Sequence, residues 1–172
     1  FVKKLVELHP LSCLLCFSLI LRLAYLLLQY PLWWDSHVYI GMGKFLYSGG
    51  ESGLFEVFRP PLQPLLLGAV WKSGLNVILL GTIFDLLFSL CSVVLTYKIG
   101  SRLFSPATAF WGAAVMSITP VFLMFTGLLM TEPMAMALSL AAIYLFLKEK
   151  QDTMATHSGK LLLHQHLGIG IL

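Results

Sequence analysis

The chain is expected to be all-α, a polytopic bundle of transmembrane helices whose first external loop is long and carries juxtamembrane helices. Three observations lead there. Hydrophobic residues make up 58% of the 172 and charged residues 11%, too little polar surface to coat a soluble globule of this length. The charges are clustered at Lys3 and Lys4, in residues 35–59, at Lys98 and Arg102, and from Lys148 to Lys160, which marks those stretches as loops. Between the clusters run apolar segments approaching the roughly 20 residues that a helix rising 1.5 Å per residue needs to span a hydrocarbon core of about 30 Å. Residues 1–172 read as a single transmembrane module.

The first helix is expected over residues 11–32, with Lys3 and Lys4 before it, so the positive-inside bias puts the N-terminus in the cytoplasm. A cleaved signal peptide competes with that reading, but the stretch is long, contains Arg22 and has no small-residue cleavage site before Asp35. Tyr30, Trp33 and Trp34 supply an aromatic belt at its outer end. Residues 33–74 form the external loop. Within it, Val38, Met42, Phe45 and Leu46 fall near helical spacing in a juxtamembrane segment. Leu62 to Trp71 is apolar but about half the length of a span, and is expected to lie along the outer interface. Further crossings are expected over 75–97, 106–125 and 133–147, with the start of a fifth over 161–172. Lys98 and Arg102 mark one cytoplasmic turn, and Lys148, Lys150 and Lys160 the next. The apolar run that ends the sequence, from Leu167 to Leu172, reads as the beginning of a helix in a longer protein.

This topology puts two carboxylates, Asp35 and Glu132, on the same external or lumenal side of an integral, multi-pass membrane protein. If Leu62–Trp71 crossed the bilayer instead, parity would reverse and separate them. Two charges fall deep within expected spans, Arg22 and Asp85. An unpaired charge there costs several kcal/mol by most scales, and their depths agree to about a turn, so an intramembrane ion pair is expected, either as structural glue or as part of a transport path. Cys13, Cys16 and Cys91 all lie in apolar stretches and read as small hydrophobes rather than a metal or disulfide set. The net charge of +3 has no stripe of basic and aromatic residues behind it, which excludes nucleic acid as a partner. His157, His164 and His166 resemble a metal tract, but the topology puts them on the side away from Asp35.

The external loop is longer than the few residues that join antiparallel helices. It holds Asp35, Ser36, His37 and Tyr39, then Gly49, Gly50, Glu51, Gly53 and Glu56, then Arg59-Pro60-Pro61-Leu62. Four elements occur in order: Asp35 with Tyr39 four residues on, Arg59 before Pro-Pro-Leu, Ile118-Thr119-Pro120 with Gly127 seven residues later, and Thr131-Glu132-Pro133 entering a helix. Together they resemble the N-terminal part of polyprenyl-phosphate-sugar-dependent glycosyltransferases of the GT-C class, among them the relatives of protein O-mannosyltransferases and of lipid A aminoarabinose transferases. The pattern departs from those families where many members have Asp-Glu in place of Asp35-Ser36, Asp in place of Glu132 and Lys in place of Arg59.

The resemblance implies an enzyme that moves a sugar from a polyprenyl-phosphate-linked donor in the membrane to an external acceptor, whether protein, lipid or glycan. It makes Asp35 the candidate base and Arg59 the candidate ligand of the donor phosphate. Glu132 joins them as a second catalytic carboxylate or as a cation ligand, and His37 and Tyr39 as substrate contacts. A divalent metal ion, held by Asp35 and Glu132, is an optional cofactor, since members of the class differ in their need for one. Each residue also has a plain structural reading: Arg59 could meet lipid headgroups, and Glu132 with Pro133 suits the first turn of a helix. A small transporter or channel subunit built on Arg22 and Asp85, and a noncatalytic assembly subunit, are the alternative functions.

Overall fold

The computed structural model describes residues 10–28 and 31–168, with side chains up to Lys150. Every regular element in that range is helical. Helix α1 (Pro10–Leu26) stops short of the expected residue 32, a few residues before Pro31, whose ring disfavours the helical conformation in the residue preceding it. Helix α2 (Trp34–Ser48) starts from the extended Trp33 and ends at Gly49, which takes the left-handed conformation (φ 71°) and donates its N–H to the Phe45 carbonyl. Helix α3 (Leu62–Lys72) begins on Pro61, with Pro64 in the first turn where a missing N–H costs nothing. Its 11 residues span roughly 16 Å at 1.5 Å each, too short to cross a bilayer core.

Helix α4 (Val77–Leu103) is capped by Asn76, whose side chain accepts the Leu79 N–H at 3.0 Å. Ser105 caps α5 (Pro106–Ile118) through Thr108 N–H at 3.1 Å. The helix expected over 106–125 is broken: Thr119 is extended (ψ 122°) and the chain restarts as the short α6 (Pro120–Met124). Pro120 is the cause, because it has no N–H to give and forces the residue before it out of the helical region. The last helix, α7 (Thr131–Gly168), runs straight through 148–160, where a loop was expected. That segment has no proline, and its first half, Lys148-Glu149-Lys150-Gln151 with Met154 and Ala155, holds good helix formers that carry the helix onward. The expected fifth helix lies partly in α7 and partly in residues 169–172, outside the described residues, as do Lys3, Lys4 and Tyr30 and the side chains of His157, His164 and His166.

Among the described residues, α4 and the Thr131–Lys150 part of α7 are long and apolar enough to span a membrane, while α1 and α5 are apolar but shorter. The exterior matches that character: Phe17, Ile20, Leu87, Trp111, Val115, Leu145 and Phe146 all face outward. Helix α1 runs antiparallel to α4, since Leu14 packs with Val93, Arg22 bonds Ser89, and Leu26 reaches the Gly127 turn beside Thr82. Helix α7 runs parallel to α4, starting near Gly81 and Asp85 and passing Lys98 and Arg102 at Tyr144. The turn 125–130, the start of α7 with Glu132, and the α2–α3 pair therefore share the end of the bundle where α4 begins. Lys98 and Arg102 occupy the other end.

Among the described residues the interior shows two layers. Toward one end, Leu14, Val93 and Ala113 are buried together. Toward the α2–α3 end, Tyr39, Leu67, Leu128, Leu129 and Met130 form the other core. Small hydroxyls tie the helices between them, with Ser18 and Ser117 at 2.6 Å. In an apolar solvent such bonds replace the hydrophobic drive that water would supply.

Candidate functional site

Arg59 organises the α2 end of the bundle. Its Nη2 donates to Asp35 Oδ1 at 2.7 Å, its Nε donates to Glu56 Oε2 at 2.7 Å, and its guanidinium lies over the Tyr39 ring, 5.3 Å from the centroid. The local sequence explains each position. Asp35 is in the first turn of α2, where the helix macrodipole favours a carboxylate, and Tyr39 follows one turn later on the same face. Gly53 (φ 91°) lets residues 50–58 fold back against α2, with Leu54 N–H bonded to the Gly41 carbonyl at 3.3 Å, and this return brings Glu56 and Arg59 over Tyr39. Pro60 and Pro61 then fix the exit of the chain into α3.

The two carboxylates and the tyrosine raise the pKa of Arg59 above its ordinary value, with the Asp35 hydrogen bond the largest cause and the Glu56 bond the next. The site stays open to its surroundings: the Arg59 side chain is 23% exposed and that of Asp35 40%. A guanidinium has five N–H groups in a fixed fork. Asp35 and Glu56 take one each and the Tyr39 side chain is a further partner, which among the described residues leaves N–H groups that can face an incoming oxyanion.

Of the residues singled out from the sequence, Asp35, Arg59 and Tyr39 come together. His37 is on α2 but exposed, on a face away from the buried Ser36, Val38 and Tyr39. Glu132 makes no ion pair with Arg59. It is exposed in the first turn of α7 and borders a cavity of about 160 Å³ between α4, α5, α6 and α7, whose wall includes Ser89, Ser92, Phe122 and Phe125. Trp33, at the entrance to α2, meets Phe125 edge-on at 6.0 Å, so the cavity and the Arg59 cluster are neighbours. Among the described residues no group of three or more His, Cys, Asp or Glu side chains could hold a metal ion, and Asp35 already has a cationic partner.

The expected Arg22–Asp85 ion pair does not form. Arg22 is fully buried, with Nε donating to Ser89 Oγ at 2.7 Å and Nη1 to the Ser18 carbonyl at 3.2 Å. Asp85, also fully buried, accepts the Leu129 N–H at 2.7 Å. Ser89 is one turn beyond Asp85 on α4, so the two charges share a helix face while each takes neutral partners. Depth along a helix was a sound guide to their level in the bundle. It could not reveal that the 125–130 turn folds in between and offers the carboxylate a backbone donor.

Three contributors escaped the sequence reading. Glu56 had a visible clue in its i, i+3 spacing from Arg59. Ser36, buried and donating its hydroxyl to the Leu128 carbonyl, and Gln63, buried near Asp85, had none.

An apolar helical bundle with an arginine–carboxylate cluster at one end, on a loop between its first helix and the rest, defines a membrane protein with a polar site at its surface. The chain belongs to the dolichyl-phosphate-mannose-protein mannosyltransferase family, whose profile matches residues 59–172. The match takes in Arg59 and Glu132 and begins after Asp35 and Tyr39. It makes the protein a membrane glycosyltransferase of the mannosyltransferase kind. Comparison with curated proteins and with solved structures finds no match.

Proposed function

We propose that the chain carries the donor-phosphate and base groups of a GT-C glycosyltransferase that transfers a sugar from a polyprenyl-phosphate-linked donor to an acceptor at the external or lumenal membrane surface. The observation that carries this reading is the Arg59 fork, held by Asp35 and Glu56 with N–H groups to spare. In the transfer, the acceptor oxygen or nitrogen attacks the anomeric carbon while the bond from that carbon to the phosphate oxygen breaks. The bonding pair goes to the phosphate, where Arg59 neutralises the charge. The acceptor proton goes to Asp35.

The ion pair gives that sequence an order. While Arg59 holds Asp35, the Oδ1 oxygen is occupied by the guanidinium and is not turned to an acceptor. A phosphate that takes over the guanidinium N–H groups loosens Asp35 when donor is present, so the base is freed where it is needed. The cavity beside Glu132 is mainly apolar and lies next to this point, which suits the lipid-proximal part of a donor drawn from the membrane. With the N-terminus cytoplasmic, the α2–α3 end faces outward or into the lumen.

The test is Asp35→Asn in the full-length protein, assayed with a polyprenyl-phosphate-linked sugar. We expect transfer to fall at least about 100-fold, the usual weight of a positioned general base, with an unchanged thermal melt in detergent. Normal turnover by this variant would sink the assignment and favour a noncatalytic assembly subunit that keeps the family's fold.

A further inference from the structure

Asp85 lies in the interior of α4, far along the chain from the Arg59 cluster, yet it touches two segments that adjoin the cluster, the 127–130 turn and the start of α3. On one side is the turn 127–130. Gly127 (φ 94°) and Leu129 (φ 55°) both adopt left-handed backbone. Glycine does so freely, but leucine is sterically strained there and keeps the conformation only where its surroundings impose it. The imposing contact is the Leu129 N–H bond to Asp85 Oδ2, with the Leu129 side chain buried over Gly81. The N–H groups of Gly127 and Met130 also face the carboxylate, beyond hydrogen-bond geometry, so the turn presents a concave set of donors to one anion.

That turn supports the site directly. The Leu128 carbonyl accepts the hydroxyl of Ser36, which is fully buried and adjacent in sequence to Asp35. On the other side of Asp85 is the Gln63 carboxamide, fully buried in the first turn of α3, four residues after Arg59. The second oxygen of Asp85 and both polar atoms of Gln63 have no hydrogen-bond partner among the described residues, and the Gln63 side chain faces the carboxylate.

We infer that Asp85 is a positioning residue for the proposed reaction, a buried acceptor that locks the 127–130 turn and thereby holds Asp35 against Arg59. This rests on the reading of Asp35 and Arg59 as the reacting site. It assigns Asp85 neither to an ion pair with Arg22 nor to transport. What the position requires is an acceptor oxygen for Leu129 N–H, not a negative charge, so asparagine should serve there and leucine should not.

The experiment compares wild type, Asp85→Asn, Asp85→Leu and Ser36→Ala in the full-length protein, by backbone hydrogen exchange and by sugar transfer. In Asp85→Leu, exchange should accelerate at residues 127–131 and, in the same variant, at residues 36–39. Turnover should fall about 10- to 100-fold through kcat, the penalty for a site displaced by about an ångström. Asp85→Asn should stay close to wild type in both readouts. Ser36→Ala should loosen residues 36–39 and lower turnover while leaving 127–131 protected.

An Asp85→Leu protein that loosens only the turn, with residues 36–39 and turnover unchanged, overturns the inference, as does an asparagine variant as damaged as the leucine one. If Asp85→Leu does not fold, Ser36→Ala and Asp85→Asn decide: unaltered turnover in the first, or lost protection at Leu129 in the second, overturns it. Absence of sugar transfer in the wild type would remove the proposed function but leave the exchange comparison to stand or fall alone.

Discussion

At the scale of single residues, the site depends on a geometry that only arginine provides. Arg59 meets Asp35 and Glu56 through two different nitrogens while its planar face covers Tyr39. Lysine would keep the charge but concentrate it at a single point, unable to serve both carboxylates and the ring together. We predict that Arg59→Lys lowers transfer by about 10- to 100-fold yet shifts stability by no more than about 1 kcal/mol, because the pair is partly exposed and such bridges contribute little. Parallel rate and melting measurements check this, and a large loss of stability with normal kinetics would contradict it. The pH behaviour follows from sign. A raised pKa means that the stability Arg59 contributes is fully present below its unfolded value and is lost only as pH rises through the folded one. Both lie above the physiological range, so any pH profile of activity there belongs to other groups.

At the scale of elements, α2 and α3 act as one body because glycines let their backbones meet. A Cβ on Gly43 would lie 2.6 Å from the Pro64 carbonyl oxygen and 2.7 Å from Gly68 N, and one on Gly68 would lie 2.6 Å from the Gly43 oxygen. Since α3 follows Arg59 and α2 carries Asp35, forcing the two apart also spreads the ion pair. Gly43→Ala should therefore destabilise the protein by about 1–3 kcal/mol, an overpacking cost, and reduce transfer more than in proportion. Gly112→Ala on α5 is the control: nothing lies within 4 Å of its added carbon, and removing a mid-helix glycine should be neutral or stabilising by up to about 1 kcal/mol. Thermal melts of both variants decide, and equal behaviour would refute the close α2–α3 contact. The break at Thr119–Pro120 belongs to this scale too. It shortens α5, and the chain then turns through α6 into residues 125–130, which reach Asp85.

At the scale of the whole molecule, helix directions put Asp35 and Glu132 at the end where α4 begins, and Lys98 at the other. The prediction concerns sidedness: with Cys13, Cys16 and Cys91 replaced, single reporter cysteines beside Asp35 and Glu132 should label from one side of sealed vesicles, and one beside Lys98 from the other. Opposite labelling of the first two would contradict the bundle's geometry. Labelling from the cytoplasmic side would reverse the proposed orientation while leaving the shared end intact.

Composition and charge spacing alone determined that this is an apolar helical membrane protein, because transfer free energy depends on residue type more than on arrangement. Helix starts near residues 75 and 106, the short α3, and the association of Asp35, Tyr39 and Arg59 were likewise legible, the first two from apolar length and charge spacing and the last from a family pattern. Tertiary structure decided what depended on the path of the backbone. Asp85 takes a turn N–H rather than Arg22, Ser36 is a strut rather than a solvent hydroxyl, and Glu132 borders the apolar cavity rather than the ion pair. A buried charge must be satisfied, and sequence says that much. Which of several donors satisfies it is settled only when the chain has folded and one of them is within reach.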